Sequence, residues 1–120
     1  YGEFDMLLTG DLSKDGEELV TRRLKSQGEP SVAVDYDVLQ VAHHGSKSST
    51  FEEFLKTIQP ELSLISCGKD NSYGHPHEEL LERLKEAGSD IRITYECGAI
   101  MITTDGEKME VKVYSGSGGK

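Results

Sequence analysis

Short apolar runs alternate with amphipathic helical segments along this chain, and this alternation limits its possible folds more than any other feature. Three apolar runs fit buried strands, at residues 4–9, 34–42 and 62–67. Each is followed by a segment with helical spacing, over about 16–27, 49–60 and 76–88. Three more strand-like runs follow, at 91–95, 99–104 and 109–114. This order predicts an α/β fold whose mixed sheet ends in antiparallel strands.

The strongest helix signal lies between Ser49 and Pro60. Ser49 and Glu52 form a capping-box pattern, and Pro60 ends the segment. The apolar residues between them fall at helical spacing, namely Phe51, Phe54, Leu55 and Ile58. The next helix is predicted to begin with Pro76 in its first position and to end at Gly88. The last two strands are joined by Asp105-Gly106, a strong hairpin signal.

The length and composition of the chain limit its organisation. A chain of 120 residues can bury one modest core, so it is a single domain or part of a larger one. No apolar stretch reaches the roughly 18 residues of a membrane-spanning helix, which predicts a soluble fragment. We expect a partial domain over 1–114 and a disordered tail or cloning remnant at 115–120.

The net charge and the cysteines exclude some classes of function. A formal charge of −9 opposes nonspecific attraction to phosphate backbones, so any nucleic-acid role depends on bound cations or on other parts of the protein. Cys67 and Cys97 form no Cys-x-x-Cys pattern and indicate neither a disulfide framework nor a thiolate zinc site. We expect buried free thiols, which pair only if the fold brings them together.

Three polar segments each follow the carboxyl end of a predicted strand. They are Thr9-Gly10-Asp11, His43-His44-Gly45-Ser46 and Tyr73-Gly74-His75. Ligands of open α/β sheets bind outside the carboxyl ends of strands, so these segments can meet in one crevice. Aspartate and neutral histidine are good ligands for zinc or manganese. The pattern therefore predicts a metal site built from Asp11 and the histidines.

Each of these residues also has a purely structural explanation. Asp11 fits an ordinary turn, and His43 and His44 fit one packed and one solvated side chain. His75 fits a helix cap and His77 a surface position, and the charges of the helix after them fit a solvated face. The sequence contains no Gly-x-Ser-x-Gly elbow, which argues against a serine hydrolase. It also lacks the glycine spacing of a phosphate-binding loop, which argues against nucleotide hydrolysis.

Together the three segments resemble the C-terminal region of the ComEC-type branch of the metallo-β-lactamase superfamily. The matching stretches read LTGD at 8–11, VAHHGSKSS at 41–49 and GKDNSYGHPH at 68–77, and the resemblance spans nearly the whole chain. Proteins of this branch are bacterial DNA-internalisation proteins of competence, in which a membrane channel precedes a hydrolase-like domain. The resemblance implies the C-terminal half of an αβ/βα sandwich.

The resemblance also implies roles for individual residues. Asp11 would be the carboxylate that bridges two divalent ions, zinc or manganese. One histidine of His43-His44 would be the last imidazole ligand, and His44 is preferred because it directly precedes a glycine, as the final ligand histidine does in several branches of the superfamily. His75 would contact a substrate phosphate or assist proton transfer, and Ser46 would also bind substrate.

The superfamily signature His-x-His-x-Asp-His does not occur in this sequence. In the family it lies upstream of the Thr-Gly-Asp turn and supplies most of the ligands. Since catalytic zinc needs a shell of about four ligands, we expect weak or absent metal binding and no turnover by this chain alone. The implied partners are the N-terminal half of the domain, a membrane channel and DNA. An uncovered sheet face or edge also favours a homodimer of the fragment.

The function implied by the resemblance is metal-dependent hydrolysis of DNA phosphodiesters linked to DNA uptake. The parent protein would be membrane-associated, with this domain outside the cytoplasm. Two rivals stay open. One is a stand-alone hydrolase of a small ester or phosphodiester, similar to phosphocholine esterase-like enzymes. The other is a noncatalytic binding module that kept the fold after losing its metal site.

Overall fold

The strands of this protein form two separate sheets. A computed structural model describes residues 1–26, 35–68 and 74–114. Four parallel strands lie side by side in chain order, β1 Met6–Leu8, β2 Val38–Gln40, β3 Leu62–Ile65 and β4 Asp90–Ile93. Two longer strands form an antiparallel hairpin, β5 Ala99–Thr104 and β6 Met109–Tyr114. The predicted α/β class is confirmed, but the antiparallel pair forms a sheet of its own.

Helices follow all four parallel strands, and the alternation in the sequence predicted the first three of these helices but not the fourth. They are α1 Lys14–Ser26, α2 Glu52–Ile58, α3 Glu78–Glu86 and the single turn α4 Thr94–Cys97. Parallel strands need such crossovers because the end of one strand lies far from the start of the next. Predictions at 27–34, 69–73 and 115–120 lie outside the described residues. Within the described ranges, no helix is long and apolar enough to cross a bilayer.

The core lies between the central strands and helices α2 and α3. It consists of Leu39, Val41, Phe54, Leu55, Ile58, Ile65, Leu80, Leu84 and Ile93. Burying a side chain of this size contributes about 1.5–3 kcal/mol, so the apolar face of α2 accounts for its position. Strand β1, at the sheet edge, is different because Leu8 is 69% exposed. The predicted strand at 4–9 exists, but it is not buried.

A helical turn separates the two sheets. The predicted strand at 91–95 ends earlier, and α4 begins at Thr94. The Thr94 hydroxyl donates to the carbonyl of Cys67 and accepts from its N–H, each at 3.1 Å. Gly98 then adopts a φ of 73°, a conformation that favours glycine. These contacts turn the chain away from β4, so the hairpin does not extend the parallel sheet.

Helix α2 does not begin with the predicted capping box. Its N-cap is Phe51, and Ser49 Oγ is buried without a hydrogen-bond partner in the part of the chain that the structure describes. The N–H groups of Thr50 and Phe51 donate instead to the carboxylate of Glu17 on α1. A carboxylate is favourable at this end of a helix because unpaired N–H groups point toward it. The capping-box prediction is therefore wrong.

Helix α3 also begins later than predicted. Its N-cap is His77 and its first residue is Glu78, so Pro76 precedes the helix and does not occupy the first position. The end of the helix agrees with the prediction, since Gly88 adopts a φ of 78° just beyond it.

We predict that Ser49→Ala leaves the stability of the protein nearly unchanged. Its hydroxyl makes no hydrogen bond among the described residues, and an unpartnered buried polar group costs free energy. The free energy of unfolding, measured by urea denaturation, should rise or should fall by less than about 0.5 kcal/mol. Loss of a capping-box serine would lower it by about 1 kcal/mol.

Ser63→Ala is the matched control. Ser63 is also fully buried, but its hydroxyl is hydrogen-bonded to the Ser89 hydroxyl at 2.7 Å. Removing this partner should lower the free energy of unfolding by about 1–2 kcal/mol. Equal losses in the two variants would contradict the conclusion that Ser49 does not cap α2.

Candidate functional site

The segments predicted to carry chemistry follow β1, β2 and β3 at one edge of the parallel sheet. We call this edge the rim and define it by Asp11, residues 43–46 and residues 75–77. The parallel register aligns Leu8 of β1 with Gln40 of β2, so the ends of these strands lie side by side. Such an edge is where open α/β sheets bind their ligands.

The turn that carries Asp11 is held against the end of β2. The side-chain carbonyl of Gln40 accepts the N–H groups of Thr9 and Gly10 at 2.9 and 2.8 Å. The backbone carbonyl of Gly10 accepts the N–H of His43 at 3.0 Å. The position of Asp11 relative to the histidines is therefore set by backbone contacts, although its own side chain is 90% exposed.

His43 and His44 form a left-handed turn. Their φ angles are 51° and 53°, and that of Gly45 is 88°. Residues with a Cβ adopt this conformation only where their surroundings enforce it. The turn brings Nδ1 of His43 to 3.9 Å from Oδ1 of Asp11. This distance is too long for a hydrogen bond, and it exceeds the roughly 3.4 Å between two ligands of a tetrahedral ion with bonds of about 2.0–2.2 Å, so the exposed Asp11 side chain has to turn toward His43 before both bind one ion.

The ring of His44 is fixed by one hydrogen bond. Its Nδ1 lies 2.6 Å from the carbonyl oxygen of Ser66. A carbonyl oxygen can only accept, so Nδ1 carries the proton and the neutral ring has its lone pair on Nε2. Histidine ligands of metal ions commonly have this arrangement, in which the nitrogen opposite the metal donates to a carbonyl.

The segment 75–77 is bound to the histidine turn through its backbone. The N–H of His77 donates to the carbonyl of Gly45 at 2.9 Å, and the N–H of Lys47 donates to Nδ1 of His77 at 3.0 Å. Gly45 also lies against Pro76, because a Cβ on Gly45 would come within 2.6 Å of the Pro76 Cβ. His77, predicted at the surface, is half-buried, and its ring is oriented by the N–H of Lys47.

The rings of His75 and His77 meet edge to face, with centroids 4.7 Å apart. Partial burial lowers the pKa of His75 most, and the imidazoles of His77, His44 and His43 lower it further. A lowered pKa keeps His75 neutral at neutral pH, where it can accept or donate a proton. The helix-cap explanation for His75 is wrong, because His77 is the N-cap of α3.

Ser46 lies on the same turn and is half-buried. Its Oγ accepts the N–H of Ser48 at 3.1 Å, and a hydroxyl that accepts in this way can still donate its own proton. Cys67 and Cys97 are free thiols, as predicted, but both are half-buried and not fully buried. Burial raises the pKa of Cys67, which disfavours the thiolate that a metal site would need.

The carboxylate and imidazole groups at the rim are suitable ligands for a divalent cation, but there are too few of them close together. Within residues 1–26, 35–68 and 74–114, no group of three or more His, Cys, Asp or Glu side chains is close enough to hold a metal ion. Because a zinc shell contains about four ligands, these residues do not form a complete metal site by themselves.

Two residues that bind the loop between the rim and α2 were not predicted from the sequence. Glu17, which is 2% exposed, accepts two N–H groups of this loop, and Arg83 donates to its carbonyls. Arg83 was expected on a solvated helix face, but it is half-buried. Their partners are backbone atoms 33 to 36 residues away, so no local sequence pattern could have identified either residue.

The chain is similar to segments of longer curated proteins. It is 40% identical over 99 residues to ComE operon protein 3 of Bacillus subtilis, covering 82% of this chain and 12% of the relative. It is 33% identical over 111 residues to Recombination protein 2 of Haemophilus influenzae, covering 92% and 13%. It is 34% identical over 95 residues to Competence protein ComA of Neisseria gonorrhoeae, covering 79% and 13%. The chain therefore spans only 12–13% of the length of these relatives. No protein-family model and no solved structure matches it.

We predict that Gly45→Ala separates the histidine turn from residues 75–77. The new methyl group would meet Pro76 at 2.6 Å and Ile65 at 3.2 Å, at a φ of 88°. Backbone strain alone costs about 1–2 kcal/mol, and the overlap adds to it. Urea denaturation should show a loss of more than about 2 kcal/mol, and the Lys47 amide should exchange faster.

Gly88→Ala is the control for Gly45→Ala. Gly88 has a similar φ of 78°, but no atom lies within 4 Å of the added methyl group. We expect only the backbone cost of about 1–2 kcal/mol. A loss for Gly45→Ala no greater than this one would show that the contact with Pro76 does not hold the two segments together.

We also predict that Glu17 makes stability depend on pH. Burial raises the pKa of Glu17 above its ordinary value of 4.5, although the N–H groups of Phe51 and Thr50 and the charges of Arg83 and His43 oppose this shift. When folding raises the pKa of an acidic group, its protonated form stabilises the folded protein. This stabilisation is complete below the pKa of the unfolded state and is lost as pH rises through the pKa of the folded state. Above pH 4.5, the stability of the protein relative to Glu17→Gln should therefore fall with pH. Urea denaturation at a series of pH values would measure it, and parallel curves would contradict the prediction.

Proposed function

We propose, because the chain is homologous to a segment of competence proteins, that it forms part of a metal-dependent hydrolase domain that cleaves DNA phosphodiesters during DNA uptake. In this proposal the chain is the C-terminal half of a metallo-β-lactamase sandwich. The N-terminal half supplies the missing ligands, and a membrane channel region holds the domain outside the cytoplasm. Bound zinc or manganese ions would also offset the charge of −9, which otherwise repels a phosphate backbone.

The observation that carries this proposal is the hydrogen bond between Nδ1 of His44 and the carbonyl of Ser66. It directs the lone pair of the neutral ring to Nε2, the atom available to a metal ion. It also holds the ring in one orientation, so the ring loses less conformational entropy when it binds an ion. These features favour His44 over His43 as the imidazole ligand.

Asp11, whose turn is hydrogen-bonded to His43, is proposed as the carboxylate ligand. Its two oxygens suit a bridging role between two ions, and its exposed side chain can reorient without losing packing. His43, 3.9 Å away, either joins it as a ligand or orients it. The metal ions would supply polarisation of the phosphate group and a water molecule of lowered pKa.

His75 and Ser46 are proposed to face the substrate. His75 is kept neutral by burial and by neighbouring imidazoles, so it can give a proton to or take one from an oxygen of the phosphodiester. Ser46 can donate its hydroxyl proton to a non-bridging phosphate oxygen. Neither residue is proposed as a metal ligand.

We predict that Mn²⁺ binds this chain weakly and at the rim. Paramagnetic Mn²⁺, added well below the protein concentration, should broaden the NMR signals of His44, His43 and Asp11 before all others. Asp11→Asn should reduce this broadening, because it replaces a charged ligand with a neutral amide. Asp15→Asn is the control, since Asp15 is an exposed carboxylate on α1 outside the rim. Broadening spread over the acidic helices, or equal effects of the two substitutions, would refute rim binding.

DNA cleavage provides the test of function in the longer protein that contains this chain. There, Asp11→Asn should lower metal-dependent cleavage by at least about 10²-fold, as expected when a metal ligand is lost. Asp15→Asn should leave it unchanged. Cleavage that persists in the Asp11→Asn protein would exclude the proposed hydrolase site. Rim binding of Mn²⁺ without cleavage would favour a noncatalytic module.

A further inference from the structure

The loop of residues 46–51 connects the rim to α2, and side chains from other parts of the chain bind several of its backbone N–H and carbonyl groups. Its buried portion includes Ser49 and Thr50, which are 0% and 1% exposed. Thr50 also has a positive φ of 59°. A buried backbone without partners is costly, so the contacts that satisfy it determine the conformation of the loop.

Glu17 satisfies the N–H groups at the C-terminal end of the loop. Its Oε1 accepts the N–H of Phe51 at 2.9 Å, and its Oε2 accepts the N–H of Thr50. Hydrogen bonds to a charged acceptor are stronger than those between neutral groups. Because the carboxylate uses both oxygens, a side chain with a single acceptor cannot replace it fully.

Arg83 satisfies carbonyl groups of the same loop. It donates to the carbonyl of Lys47 at 2.6 Å, and to those of Ser49 and Thr50 at 3.1 and 3.0 Å. Its guanidinium group also lies 4.9 Å from the centroid of the Phe51 ring. A planar group with several donors makes these contacts together, which a lysine cannot do.

Both side chains come from helices that directly follow rim segments. Glu17 is on α1, which follows Asp11, and Arg83 is on α3, which follows residues 75–77. The loop itself continues from the His43-His44 turn, and its Lys47 N–H orients the ring of His77. The loop therefore connects all three rim segments through two buried or half-buried charged side chains.

We propose that Glu17 and Arg83 are positioning residues for the rim. They hold loop 46–51 in one conformation and thereby set the ring of His77 and the turn that carries His44. The effect on metal binding rests on the function proposed above, but the effect on His77 does not require that function.

The experiment compares Glu17→Gln and Arg83→Lys with the exposed controls Glu18→Gln and Arg22→Lys on α1. Long-range ¹H–¹⁵N NMR of the imidazole rings reports the tautomer of His77, which should carry its proton on Nε2 because Nδ1 accepts the N–H of Lys47. Both test variants should reduce this preference and speed amide exchange of Lys47 by about tenfold or more. Neither control should change the tautomer or the exchange rate.

Slow amide exchange at Leu39 and Ile65 serves as the check that a variant has folded. In a folded variant, an unchanged His77 tautomer together with an unchanged Lys47 exchange rate would overturn the positioning role. If one substitution alone unfolds the protein, the other decides the question.

Mn²⁺ broadening separates this inference from the proposed function. If the original protein shows rim broadening, Glu17→Gln and Arg83→Lys should weaken it at His44 while both controls retain it. If the original protein shows none, the residues of this chain do not hold Mn²⁺ by themselves, and the DNA-cleavage test decides the proposed function. The His77 tautomer still decides whether Glu17 and Arg83 position the loop.

Discussion

The common direction of four parallel strands is the constraint on which the rest of this structure depends. Because β1, β2 and β3 run the same way in chain order, the segments after them all emerge at one edge of the sheet. Residues far apart in sequence, such as Asp11 and His43, thereby come within 3.9 Å. Helices α1, α2 and α3 return the chain to the start of the next strand. Helices α1 and α3 also carry Glu17 and Arg83, which stabilise loop 46–51.

The elements that were predicted correctly are those marked by a local motif or a periodic pattern of apolar residues in the sequence. The apolar spacing of Phe54, Leu55 and Ile58 identified α2, and Asp105-Gly106 identified the hairpin. The location of the rim also followed, because it requires only the order of strands and helices. The half-sandwich of the metallo-β-lactamase superfamily and the roles of the rim residues stay proposals.

Predictions from the sequence were wrong where a hydrogen-bond partner distant in sequence replaced a local one. Ser49 has the pattern of a cap, but the carboxylate of Glu17 binds the N–H groups at the start of α2. Arg83 lies among charged residues of α3 that were predicted to form a solvated face, yet it donates to three carbonyls of loop 46–51. The turn at Thr94 depends on the backbone of Cys67, which lies two residues beyond the end of β3. Each of these partners is 27 to 36 residues away in sequence, beyond the reach of any local pattern.

The close approach of Gly45 to Pro76 has a thermodynamic consequence. The glycine carbonyl accepts the N–H of His77, and no space remains for a side chain at position 45 between the two segments. His44 and His75 therefore lie on two segments whose backbones are joined at Gly45. A ligand that shifts the backbone of one segment strains its contact with the other, and linkage requires two ligands coupled through this contact to alter each other's affinity by the same factor.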